Sequence, residues 1–170
     1  MVGGLSDIAA LDLGGLGRYD LAAVNSPEGR AWIAALPFLL HDLSRQWNLT
    51  TTGDLVHTDL HYDNVLASQR PGQPWVAIDP AAAVGAPERS VAELLWTRAD
   101  ELPDPQAITG LLGIFAESGQ LDQAKATAWG FVRSIDYWLW GLENGLTTDP
   151  VRCQRIANAL APLAERGSQP

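Results

Sequence analysis

The segment His57–Leu66 constrains the fold of this chain more than any other stretch. It places two histidines, two aspartates and an asparagine within eight residues and then continues into an apolar run of strand character. A further aspartate follows at Ile78-Asp79-Pro80, after an interval about the size of one hairpin. This arrangement predicts a polar loop held between short strands, with a second acidic position returning close to it.

Short strands are predicted on both sides of the polar loop. Asp54 to His57 leads into it as one strand, and Asn64 to Ser68 pairs with Trp75 to Ile78 as a β-hairpin. The turn-rich residues 69–74 join the two hairpin strands, and residues 80–87 are predicted to form a loop.

Helices are predicted over most of the remaining chain. Apolar residues recur at helical spacing, and Ser-Pro or Asp-Pro pairs mark several helix starts. The expected result is a single, helix-rich α+β domain over residues 1–170 with one small hairpin. The predicted helices are Ser26–Trp47 (kinked at Pro37, or begun again there), Glu88–Glu101, Asp104–Gly119, Leu121–Asn144 and Asp149–Arg166.

Composition narrows the possible partners. With 170 residues, 46% hydrophobic and 18% charged, the chain has the length and composition of one ordinary globular domain. Its net charge of −9 argues against nucleic acid as a partner and suits a cationic small molecule, which an acidic cleft attracts.

Cysteine usage and the apolar runs bear on location. The single cysteine, Cys153, excludes an internal disulfide and a cysteine-rich metal site. The longest apolar run, residues 31–40, is too short to span a membrane, and the N-terminus lacks the pattern of a signal peptide. We therefore expect no membrane partner and a cytoplasmic location.

The residue types in the polar loop suit phosphoryl transfer. This reaction needs a carboxylate beside the acceptor hydroxyl and oxygen ligands for Mg²⁺ on the phosphates of ATP. In the pattern His-x-Asp-x-x-x-x-Asn, Asp59 is the candidate base, and Asn64 with Asp79 are the candidate magnesium ligands. His57 and His61 are interpreted as support for the loop. The alternative is that Asp59, Asp63 and Asn64 are turn residues that shape a hairpin.

The loop resembles the catalytic loop of the aminoglycoside phosphotransferases, which have a protein-kinase-like fold. Residues 75–80 with Val84-Gly85, and the segments Leu94–Trp96 and Trp138–Leu142, are similar to the streptomycin 6-phosphotransferase and hydroxyurea phosphotransferase branch. The resemblance covers residues 50–165 and is strongest from 54 to 98. It implies a mostly helical C-terminal lobe whose hairpin carries the catalytic loop, with Asp59 as base and Asn64 and Asp79 on magnesium.

Three positions depart from the family pattern. Thr58 stands where the family usually has glycine, and Ala86 and Ser90 stand where it often has aspartate. The later aspartate would hold the catalytic loop through hydrogen bonds to its backbone, so the resemblance predicts a less rigid loop here.

The resemblance also implies an N-terminal ATP-binding lobe with an anchoring lysine. Only 56 residues precede His57, and the sole lysine of the chain is Lys125, which lies far downstream. We therefore expect the ATP lobe to be missing, and we expect the isolated chain not to turn over ATP.

The acceptor is predicted to bind the helical part. Asp136, Trp140 and Glu143 share one face of a helix, so two carboxylates flank an indole that could receive guanidinium or ammonium groups. The alternative is a solvated acidic stripe beside a core tryptophan.

Three functions remain open at this point. The first is ATP-dependent phosphorylation of a hydroxyl on a streptomycin-like antibiotic, which would give resistance. The second is a non-catalytic remnant that binds the acceptor without using ATP. The third is a kinase for another small alcohol.

Overall fold

The computed structural model describes residues 53–167 of the chain, with side chains up to residue 164. The helix predicted at Ser26–Trp47 lies outside this range. The described part is mostly helical and carries two small antiparallel sheets, which confirms the predicted α+β class.

The four strands form two nested pairs. Strands β1 (Asp54–His57) and β4 (Ala82–Gly85) pair with each other, and β2 (Val65–Arg70) and β3 (Gln73–Ala77) form a hairpin between them in sequence. The polar loop connects β1 to β2. The hairpin turn uses Gly72 at φ 76°, a conformation that glycine adopts without steric cost.

Strand β4 corrects the prediction of a loop over residues 80–87. Its run of alanines with one valine and one glycine has little strand character of its own. It is a strand because β1 offers unpaired backbone groups, and the two pair in register from Asp54 with Gly85 to His57 with Ala82. The predicted hairpin is confirmed as β2–β3, and the described residues contain a second two-stranded sheet, β1 with β4, that was not predicted.

The predicted helix Glu88–Glu101 is also corrected, because it consists of three shorter pieces. A 3₁₀ turn at Pro87–Ser90 precedes helix α1 (Val91–Trp96), and a second 3₁₀ turn covers Ala99–Glu101. The break is stable because Arg155 donates to the carbonyl oxygens of Ala99 and Leu102, at 2.8 Å and 2.5 Å. Both carbonyl groups accept hydrogen bonds from a side chain of another helix. They therefore do not depend on the backbone partners that a continuous helix would provide.

The remaining helices match their predictions closely. Helix α2 spans Pro105–Gly119, α3 spans Gln123–Glu143 and α4 spans Asp149–Gly167. The Asp104 carboxylate accepts from Ala107 N at 2.8 Å and caps α2. Asp122 caps α3 in the same manner.

The hydrophobic core lies between the four helices. Helix α3 packs closely on α4: a Cβ atom on Gly130 would lie 2.9 Å from a methyl group of Leu160. In the described part of the chain, no helix is both long and apolar enough to cross a membrane. The largest fully buried apolar side chains are Leu95, Ile108, Leu112, Ile156 and Leu160.

Candidate functional site

The nested strands bring the three predicted site residues to one end of the sheets. Asp59 comes shortly after the end of β1. Asp79 comes shortly before the start of β4, whose first residue pairs with the last residue of β1. Asn64 directly precedes the first pair of the hairpin. A backbone hydrogen bond from Ile78 to Asn64 at the base of the hairpin holds Asn64 next to the residue that precedes Asp79.

Asn64 connects the two halves of the site. Its side-chain Nδ2 donates to the backbone oxygen of Asp59 at 2.8 Å and lies 3.5 Å from the Asp59 carboxylate. Its own backbone oxygen accepts from Ile78 N at 2.9 Å. The side chain is 9% exposed. Since the amide nitrogen faces Asp59, the amide oxygen is the atom that a cation would use.

Asp79 occupies a left-handed backbone conformation, with φ 55°. Aspartate tolerates this region better than most residues do, and here it turns the chain from β3 towards β4. The ring nitrogen Nε2 of His57 lies 2.8 Å from the backbone oxygen of Ile78 and fixes the approach to this turn. His57 therefore contacts the backbone of the residue that precedes a candidate ligand.

Two hydroxyl groups hold the beginning of the loop. Ser90 Oγ donates to the backbone oxygen of His57 at 2.7 Å, and Thr58 Oγ1 donates to the backbone oxygen of Ala81. Ser90 is 7% exposed, so its hydrogen bond is shielded from water. The position where the family often has aspartate thus still provides a hydrogen bond to the loop backbone.

His61 lies between two carboxylates of the loop. Its Nε2 is 3.8 Å from Oδ2 of Asp59, and its Nδ1 is 3.8 Å from Oδ2 of Asp63. The Asp59 side chain is 56% exposed, so the candidate base is open to an acceptor. His61 can limit where the Asp59 side chain points.

An aromatic contact that the sequence reasoning missed joins the loop to α1. The guanidinium carbon of Arg98 lies 4.7 Å from the centre of the Tyr62 ring, and Arg98 also pairs with Glu101. Burial is the main reason why the pKa of Tyr62 is raised. Tyr62 was visible inside the motif, but its partner is 36 residues away and no local spacing indicates it.

The three predicted acceptor residues differ in their surroundings. Asp136 is paired with Arg133, whose other nitrogen binds the buried carboxylate of Glu93 at 3.0 Å. Trp140 is 49% exposed, and Glu143 is exposed at the end of α3. All three residues are exposed, but the charge of Asp136 is partly neutralised by Arg133.

The donor set at the loop suits a hard cation. Among residues 53–167 no group of three or more His, Cys, Asp or Glu side chains is arranged to hold a metal ion. Magnesium keeps several waters and binds through one or two protein oxygens together with the phosphates of a substrate. An amide oxygen from Asn64 and a carboxylate from Asp79 fit that demand.

The described part of the chain belongs to the α+β class, and its polar loop carries carboxylate and amide side chains. The family of aminoglycoside/hydroxyurea antibiotic resistance kinases matches residues 48–145, and the chain belongs to this family.

The curated relatives carry names from the same family. A streptomycin 6-kinase of Streptomyces griseus is 34% identical over 78% of this chain and 41% of its own length. A streptomycin 6-kinase of Streptomyces glaucescens is 31% identical over 92% of this chain and 50% of its own length. A hydroxyurea phosphotransferase of Kitasatospora aureofaciens is 34% identical over 92% of this chain and 43% of its own length. The chain thus spans about half the length of these relatives, or slightly less. No solved structure matches it.

Proposed function

We propose that this chain is the catalytic-loop and acceptor-binding lobe of a protein-kinase-like enzyme that phosphorylates a hydroxyl group of a streptomycin-like antibiotic. The observation that carries the proposal is the position of Asn64. It hydrogen-bonds the backbone of Asp59 and, through its own backbone, the residue before Asp79. The family membership and the names of the relatives support the same reaction class.

In this proposal Asp59 orients the acceptor hydroxyl and accepts its proton. Its carboxylate is exposed at the mouth of the loop, while its backbone is fixed by Asn64. Asn64 and Asp79 hold Mg²⁺, which neutralises charge on the phosphates of ATP. The cytoplasmic location predicted from the sequence is consistent with ATP as co-substrate.

The ATP-binding part is proposed to come from outside the described lobe. The sole lysine, Lys125, lies in the first turn of α3 and not in the loop region. We therefore expect the 170-residue chain to bind acceptor without turning over ATP. Phosphorylation of streptomycin by this chain alone would contradict that expectation.

Catalysis can be tested in a chimera in which the full chain follows the N-terminal half of the Streptomyces griseus relative. Asp59→Asn should lower kcat for streptomycin by about 100-fold or more, which is the usual contribution of a general base. Asp63→Asn is the matched control, because its carboxylate is 97% exposed on the same loop. Equal rates for the two variants would exclude Asp59 as the base.

Magnesium dependence gives a second test in the same chimera. Asn64→Ala and Asp79→Ala should each raise the Mg²⁺ concentration needed for half-maximal rate. Independently of catalysis, calorimetry on the 170-residue chain should detect streptomycin binding. Absence of that binding would contradict the assignment of the acceptor.

The name of the Kitasatospora aureofaciens relative supports a second candidate, phosphorylation of hydroxyurea. Hydroxyurea is small and uncharged, so an acidic binding face would not attract it as it attracts a cation. Calorimetry with both compounds separates the two candidates, since each predicts preferential binding of a different ligand. A non-catalytic remnant would bind streptomycin, and its chimera would be inactive.

A further inference from the structure

Three aromatic rings form a continuous stack from the helical core to the surface. The ring centres of Trp96 and Tyr137 are 4.7 Å apart, and the angle between the ring planes is 2°. For Tyr137 and Trp140 the distance between ring centres is 5.3 Å and the angle between the planes is 21°. Trp96 is buried, whereas Trp140 is about half exposed. We infer that this aromatic stack is a platform for a planar cation of the acceptor, which binds the exposed part of the Trp140 indole. The inference rests on the proposed function and specifies its acceptor class as guanidinium-bearing.

The aromatic stack adjoins the candidate catalytic loop. Arg98 lies two residues beyond Trp96, and its guanidinium packs over Tyr62, three residues after Asp59. The last residue of α1 thus belongs to the stack, and the segment directly after α1 contacts the loop. Burial contributes most to the raised pKa of Tyr137, the charge of Asp149 contributes next, and the carboxylate of Asp59 makes a smaller contribution in the same direction.

A planar cation fits this surface better than a compact one. The face of a tryptophan ring attracts cations, and a guanidinium group can also lie parallel to it because the group is flat and weakly hydrated. The described residues include one contact between a guanidinium group and an aromatic ring, that of Arg98 with Tyr62. An ammonium group gains the electrostatic attraction but has no flat face to stack.

The stack also makes Trp140 a preorganised surface. Its indole is supported by Tyr137, which is in turn supported by the buried ring of Trp96. A ligand that binds a ring already held in place loses less free energy to ordering. Glu143 lies three residues further along α3, is exposed, and supplies negative charge near the same surface.

Agmatine and putrescine are matched probes for this platform. Each carries two positive charges on the same four-carbon chain, but agmatine has one guanidinium group where putrescine has an ammonium. We expect agmatine to shift the indole N–H resonance of Trp140 in an NMR titration of the 170-residue chain, with a lower Kd than putrescine. Trp140→Leu should raise the Kd of agmatine roughly 3- to 30-fold. Trp140→Phe, which keeps an aromatic face, should recover most of the affinity.

Trp75→Leu is the control, because this indole is 66% exposed on β3 and lies outside the stack. It should leave the agmatine Kd unchanged. The inference is overturned if agmatine does not bind, or if Trp140→Leu binds it as tightly as the parent chain. It is also overturned if Trp75→Leu loses as much affinity as Trp140→Leu.

Streptomycin separates failure of the platform from failure of the proposed function. If streptomycin binds equally to the parent chain and to Trp140→Leu, the platform is wrong while the proposed function stands. If agmatine binds at Trp140 but streptomycin does not bind the chain, the platform stands and the streptomycin-like acceptor is wrong.

Discussion

The strand region, residues 53–86, and the helical region, residues 87–164, are stabilised by different interactions. The helical region buries a shared apolar core, whereas the strand region buries Val56 and Ala86 and leaves large apolar side chains exposed, among them Leu55 at 79% and Val84 at 64%. The strand region relies on backbone pairing and on hydrogen bonds to its loop. The candidate catalytic residues therefore lie where directional bonds fix the geometry, and the helices provide most of the stability.

The largest expected effect is loss of core packing in the helical region. Leu160 is fully buried in α4, so Leu160→Ala should lower the free energy of unfolding by about 2–5 kcal/mol. Leu55→Ala in β1 should change it by less than about 0.5 kcal/mol, because that side chain is already exposed. Urea denaturation measures both. Similar losses for the two variants would contradict the difference between the regions.

Replacing glycine with alanine should destabilise the protein for different reasons in the two regions. A Cβ on Gly141 of α3 would lie 2.9 Å from the ring of Pro150, so Gly141→Ala should cost about 1–3 kcal/mol through overpacking. Gly72 in the hairpin has open space but a positive φ, so Gly72→Ala should cost about 1 kcal/mol through backbone strain.

Gly113 of α2 is the control for both glycine variants. It has neither a close neighbour nor a positive φ, so Gly113→Ala should stabilise the protein by about 0.5–1 kcal/mol. Thermal melting ranks the three variants by stability. If Gly141→Ala is more stable than the parent chain, α3 and α4 have space for the added Cβ atom.

The hydrogen bond from Ser90 should matter more than its small size suggests. Ser90→Ala removes a shielded hydrogen bond to the His57 carbonyl and should cost about 1 kcal/mol. Amide exchange should also become faster at Asn64 and Ile78, where the loop is fixed. Ser134→Ala is the control, because that hydroxyl is buried without a partner and its removal should cost nothing. Unchanged exchange in Ser90→Ala would mean that this bond does not position the loop.

The smallest effect is a loss of stability at alkaline pH. Burial raises the pKa of the Cys153 thiol, so the folded state keeps its proton while the unfolded chain loses it above about pH 8.5. This contribution is complete below pH 8.5 and declines as pH rises, by less than about 1 kcal/mol at pH 9. Cys153→Ala should have a flatter stability profile between pH 7.5 and 9. A profile as steep as that of the parent chain would assign the loss to other groups.

The sequence predicted the helices well because their signals are local. Asp104 and Asp122 cap helices where the chain suggests a start, and apolar spacing gave the buried faces. Strand β4 was missed because its pairing with β1 depends on a partner about 25 residues away. The break after Trp96 was missed for the same reason, since Arg155 stabilises it from α4.

The candidate site was predicted from residue types and order, but not its internal contacts. The order of Asp59, Asn64 and Asp79 in the sequence predicts that they lie close together, because the strands between them are short. The contact of Ser90 with His57 and the stacking of Tyr137 could not be read from spacing, since each joins separate elements. Tyr137 and Trp140, three residues apart on one helix, were a weak local signal for the stack.

The nested arrangement of the two sheets has a consequence for how the protein can vary. The base of the β2–β3 hairpin fixes Asn64 and the approach to Asp79, whereas at its tip a Cβ atom added to Gly72 would meet nothing within 4 Å. Residues can therefore be added or removed in pairs at the tip without changing the register at the base. The hairpin is a natural point for inserting a reporter peptide, and a place where insertions and deletions can accumulate during evolution while the chemistry is retained.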